Sequence, residues 1–178
     1  MKATEAAKAG KLYEQISDCL TEAVPRSVAA TLKARPKLTG FALCTDSGLS
    51  TLFSVATEVP RTDWRWPTPN EWTIDPRLRS PVDRASNLLA KAADRVDIDA
   101  HAQISWMILE RALTLARAHS PKLLLLVLDT DPDRSTKKAM YESAKRLNSP
   151  GLYKEWRKAL NTSDEAQLAY IRSLGIKI

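Results

Sequence analysis

Leu38-Thr39-Gly40-Phe41-Ala42-Leu43-Cys44-Thr45-Asp46, then Ser47-Gly48, then Leu49-Ser50-Thr51-Leu52-Phe53-Ser54-Val55-Ala56-Thr57 is the stretch that decides the fold. Two runs rich in β-branched and aromatic residues, parted by a Ser-Gly turn, predict a β-hairpin. A second β signal is Lys122-Leu123-Leu124-Leu125-Leu126-Val127-Leu128, too short for a helix and bounded by Pro121 and an aspartate-rich turn. An unbroken apolar run of that length predicts a strand buried on both faces, expected at the centre of the sheet.

Helical patterns surround these strands. Leu12, Ile16, Cys19, Leu20, Ala23 and Val24 recur at spacings of three and four, which predicts an amphipathic helix over about Thr4 to Val24, with Pro25 breaking or kinking it before a short resumption from Ser27 to Lys33. Ser80, Pro81 and Asp83 open a second helix. From Ile98 to His119 apolar residues occupy nearly the whole wheel, leaving a narrow polar arc around Glu110 and Arg117. That predicts a central helix covered on most sides, with Trp106 in the core. Asp133 or Ser135 caps a helix ending near Asn148, and two short helices, Leu152 to Leu160 and Asp164 to Leu174, follow. Strands and helices do not alternate as βαβ units. The expected class is α+β: a small, mostly antiparallel sheet covered by several helices, forming one domain over residues 1–178.

Residues 60–81 carry five prolines and Trp64, Trp66 and Trp72, which predicts an ordered loop with a short strand at Glu71 to Ile74. Trp and Arg are the types most enriched where interfaces concentrate their binding energy. Trp64, Arg65, Trp66, Glu71 and Trp72 are therefore the candidate partner-binding residues, the competing reading being that the tryptophans staple the loop onto the sheet as core.

Lysine and arginine exceed aspartate and glutamate by 27 to 21, a net charge of +6 that favours an anionic partner. The excess is spread along the chain without interleaved aromatics, so solvated helix faces are expected and a nucleic-acid-associated protein is the alternative. The longest apolar run, Leu123 to Leu128, falls far short of the roughly 20 residues that cross a bilayer. Charges near Met1 stand where a secretory signal would need an apolar segment, so a cytoplasmic protein with reduced cysteines is expected.

Catalytic signatures are few. Asp129 and Asp131, directly after the apolar run, are placed as cation-binding carboxylates of a metal-dependent hydrolase would be, but Pro132 interrupts the pattern and no later strands supply further carboxylates. A calcium loop fails because Arg134 and Met140 occupy the turn-glycine and bidentate-glutamate positions. A turn and helix cap account for the same aspartates. His101 and His119 lie eighteen residues apart on one helix, more than about 20 Å, and cannot share a site. Glu58 and Glu71 could meet as acid and base, although loop glutamates usually pair with arginine. No nucleophile elbow or phosphate loop occurs. No cofactor, no metal and no catalysis are expected.

Phe41 to Asp46, Leu52 to Glu58, Glu71-Trp72 and Ser143-Ala144-Lys145-Arg146-Leu147-Asn148 together resemble an uncharacterised bacterial domain family of unknown function, the likeness covering about Leu12 to Leu160. Families of this size and type often look like immunity proteins. The resemblance implies a non-enzymatic protein that neutralises a bacterial toxin by direct binding. Its basic charge would suit a toxin with an acidic cleft.

Overall fold

The computed structural model of the chain describes residues 3–69, 72–74 and 79–173. Its elements run α1 (Ala3–Ala34), β1 (Gly40–Thr45), β2 (Leu52–Thr57), β3 (Thr73–Ile74), α2 (Arg79–Ala93), α3 (Ile98–Arg117), β4 (Leu124–Asp129), α4 (Arg134–Leu147) and α5 (Pro150–Ser173). This is an α+β fold, and the sheet order is β3-β2-β1-β4. β1 and β2 form the expected hairpin, with Gly40 opposite Thr57 and Thr45 opposite Leu52. β3 adds antiparallel to β2, and β4 runs parallel to β1, so the sheet is mixed.

The two faces of the sheet are each buried. Along β1, Phe41 and Leu43 join a core with Leu52, Ala56, Leu125 and Val127 on which α1, α2 and α3 pack. The alternate residues Ala42 and Cys44 join Val55, Leu124, Leu126 and Leu128 in a second core, closed by Trp66, Trp72 and Trp156. The period-two alternation of a strand sends neighbours to opposite faces, and β4 carries leucine or valine at five successive positions from 124 to 128 because both faces are covered.

β4 is nevertheless the last strand of the sheet, not its centre. Its outer backbone is met by a side chain. Asn148, which follows α4 and is 5% exposed, accepts from the Leu125 N–H at 2.9 Å and donates to the Leu125 carbonyl at 2.7 Å and the Ala144 carbonyl at 2.8 Å. A carboxamide offers the same donor and acceptor as a peptide group, so Asn148 takes the place of a neighbouring strand at Leu125.

α1 also departs from expectation, since it passes through Pro25 without ending. Pro25 cannot donate to the Thr21 carbonyl, a defect costing about 3 kcal/mol in a helix interior. Beyond it lie Val28 and Thr31, both fully buried, and before it Ile16, Leu20 and Val24, all at 0% exposure. Burying each such aliphatic side chain contributes about 1.5–3 kcal/mol. One uninterrupted rod against α2 and α3 therefore outweighs the local defect. α5 likewise continues through Asn161 and Thr162, where two shorter helices were expected.

The hairpin turn holds a detail that the Ser-Gly signal does not convey. The left-handed residue is Leu49, with φ of 48°, not Gly48. Leu49 is 3% exposed in the core, its N–H donates to the Asp46 carbonyl, and its carbonyl accepts from His101 Nε2 at 3.2 Å. Asp46 Oδ1 accepts from the Ser50 N–H, and Oδ2 from the Ser50 hydroxyl, each at 2.7 Å. His101 is itself interior, its Nδ1 lying 2.7 Å from the Tyr13 hydroxyl. Because the Leu49 carbonyl can only accept, Nε2 carries the donated proton and Tyr13 is placed to donate to Nδ1. This histidine ties α1, the turn and α3 together.

Candidate functional site

The 60–72 loop and the aspartate turn, separate candidates in the sequence, meet in space. Trp66 is 0% and Trp72 6% exposed, so both are interior side chains. The expectation that they present themselves to a partner does not hold. The reason is geometric: the Trp72 ring lies on the backbone of Gly40, where a Cβ would come within 2.4 Å of Cη2. Its indole N–H donates to the Trp66 carbonyl at 3.2 Å, closing the loop on itself. Trp156 of α5, 1% exposed, donates to the Pro67 carbonyl at 3.2 Å and fixes the loop from the other side. Trp64 is half-buried. Arg65 is exposed and clasps Asp63 at 2.7 Å. Glu71 lies outside the described residues. Glu58 pairs with Arg35 at 3.2 Å, as loop glutamates commonly do.

Held this way, Pro67, Thr68 and Pro69 form one wall of a cleft of about 230 Å³. Met140 and Tyr141 of α4 and Trp156 and Leu160 of α5 contribute further walls, with Cys44, Leu128 and Asp129 from the C-terminal ends of the parallel strands β1 and β4. The Arg157 guanidinium stacks on the Tyr141 ring at 3.8 Å. The Cys44 thiol is 4% exposed, and burial pushes its pKa up to about 12. It is a core thiol whose burial disfavours the nucleophilic thiolate.

Asp129 is 5% exposed. Its Oδ1 accepts from the Asp131 N–H at 2.8 Å, while Oδ2 finds no partner among the described residues. Burial holds its pKa above the ordinary value, against the pull of that hydrogen bond, and the carboxylates of Asp131, Asp46 and Asp133 add to the rise. Asp131 is exposed, and Asp133 caps α4 by accepting from the Thr136 N–H at 2.7 Å. The aspartates thus make the turn and cap that their sequence allows. Among the described residues no three His, Cys, Asp or Glu side chains are grouped to hold a metal ion.

A second surface lies across α4 from this cleft. α3 packs on α1, α2, β4 and α4, yet Met107 is 64%, Leu115 45% and Ile104 37% exposed, with Ile98 at 66% where the helix begins. The apolar arc expected to be covered is therefore partly open, because no element of the described chain crosses it. Beside it Trp106 sinks half-buried into a hollow of about 370 Å³, shared with Leu49, Ala102, Thr136 and Ala139. Glu110 and Arg146 close one side of the hollow with a two-pronged ion pair, at 2.6 and 2.9 Å. Sequence reasoning missed this surface. Its residues repeat at core spacing, and nothing local distinguishes an apolar residue facing a neighbouring element from one facing water.

Compared with protein families, curated proteins and solved structures, the chain matches none. No helix of the described residues is long and apolar enough to cross a membrane.

Proposed function

We propose that this chain acts by binding another protein through the outer face of α3 and the adjoining hollow. One observation carries the reading: Ile104, Met107 and Leu115 fall on one side of α3, and all three are exposed. Large apolar side chains grouped on a surface mark interaction sites, whereas isolated ones do not. Arg111 is exposed between Met107 and Leu115, so the partner suited to this face is apolar with an acidic group opposite Arg111. A bacterial toxin neutralised by direct contact, the role implied by the sequence resemblance, is the specific form of this proposal. The nucleic-acid alternative draws less support. Arg26, Arg35, Arg61, Arg65, Arg79 and Arg146 are each paired with a carboxylate of the chain itself.

The test compares the wild-type chain with Met107→Asp as bait in a nuclease-treated native lysate. The substituted residue is exposed, so the fold should survive with stability within about 0.5 kcal/mol. A stoichiometric protein retained by the wild type and lost with Met107→Asp supports the proposal. Equal retention by both, or no protein retained while a parallel lysate without nuclease yields nucleic acid that is lost steeply at higher salt, refutes it.

A further inference from the structure

The cleft between the loop and α4 is not used by the α3 surface, and it is built like a small-molecule site. Its volume of about 230 Å³ is somewhat below the roughly 300 Å³ where drug-sized sites begin. Apolar and aromatic walls surround one buried carboxylate, the usual composition of a ligand pocket. That group, Asp129, has one oxygen committed to the Asp131 N–H and the other without a partner.

We infer that the cleft binds a small organic cation, a primary ammonium on an apolar body, with the ammonium at Asp129 and the body against Pro67, Leu128, Met140, Tyr141 and Trp156. A buried, unpaired carboxylate oxygen is costly, and a charged N–H donor is the partner that relieves it most. The neighbouring Asp46, Asp131 and Asp133 make the potential at Asp129 more negative, which further favours a cation. Lys137 is exposed at the cleft and forms no ion pair with Asp129 among the described residues. It offers a place for a carboxylate next to the ammonium, so the same chemistry could come from a simple amine or from an apolar amino acid.

Isothermal titration of the full chain at neutral pH with 2-phenylethylamine, L-phenylalanine and 2-phenylethanol tests the inference and separates these sources. The amine or the amino acid should bind saturably, and Asp129→Asn should weaken that binding at least about tenfold. Tighter binding of L-phenylalanine than of the amine, lost in Lys137→Ala, identifies an amino acid. The reverse order identifies a free amine. Met140→Trp keeps the carboxylate but fills the cleft and should also abolish binding. The inference is overturned by the alcohol binding as well as the amine, by unchanged affinity in Asp129→Asn or Met140→Trp, or by no saturable heat up to about 10 mM amine. Met107→Asp should leave amine binding intact, so failure here and failure of the protein-docking proposal are told apart.

Discussion

Replacing Gly40 by alanine adds one methyl group directly beneath the Trp72 ring. The new Cβ would stand 2.4 Å from Cη2, 2.8 Å from Cζ2 and 3.0 Å from Cζ3, where unstrained carbon contacts lie at about 3.5–4.0 Å. The ring must withdraw by about 1 Å, yet it is 6% exposed and tethered by its N–H to the Trp66 carbonyl. Overpacking of this kind costs about 1–3 kcal/mol. The opposing gain from restricting the unfolded chain is about 0.4–1 kcal/mol. A net loss of about 1–2 kcal/mol is expected. With a urea slope of about 2 kcal/mol/M, that lowers the unfolding midpoint by about 0.5–1 M. Because the clash is with one ring, the loss should vanish in a Trp72→Leu background, giving a coupling of at least about 1 kcal/mol in a double-mutant cycle. Additive effects, or an unchanged midpoint for Gly40→Ala, would show that the loop is not seated on β1 as described.

Asn148→Leu leaves the Leu125 N–H and carbonyl unpaired in the interior and should cost about 2–4 kcal/mol by urea unfolding, at about 1–3 kcal/mol per stranded group. A loss under about 0.5 kcal/mol would mean that water or a neighbour replaces the carboxamide. Asp129→Asn should stabilise the protein at neutral pH. The folded Asp129 carboxyl is raised above its ordinary value of 3.8, so its contribution is fully present below the unfolded value and is lost as pH rises through the folded one. The advantage of the asparagine variant over wild type should therefore shrink as pH falls through the carboxylate range, and a pH-independent difference would contradict the assignment. Cys44 should be silent to a thiol-reactive disulfide reagent at pH 8 until the chain unfolds, whereas the half-buried Cys19 should react in the folded state. Native-state labelling of both at equal rates would refute the burial of Cys44.

What could be read in the sequence was what is fixed locally. The hairpin signal at residues 38–57, the apolar run at 123–128 and the Asp133 cap each involve residues close in the chain, and each forms as its pattern predicts. The position of β4 at the sheet edge could not be read, because it depends on which strand pairs with β1 and on Asn148, distant in sequence from both. Pro25 and the Asn161-Thr162 stretch misled for a related reason: local preference opposed helix, and packing far along the chain overrode it. The candidate site was half visible. Trp66 and Trp72 stood out in the sequence as partner-facing candidates but are interior, and Asp129 stood out as a cation ligand or a turn residue. Their joint role around one cleft depends on Trp156 of α5 reaching Pro67 across 89 positions, a contact with no sequence signature.

Asn148 has one more consequence. Many binding proteins receive an extended peptide as an additional strand, reading its backbone before its side chains. At Leu125 of β4 that mode is occupied from within, by a side chain that already makes both bonds an incoming strand would need. The same occupation keeps a second copy of the chain from zipping onto this margin, a common route to unwanted assembly. A partner that docked at this margin would have to be read by side chains at Leu125, because the backbone there is already engaged.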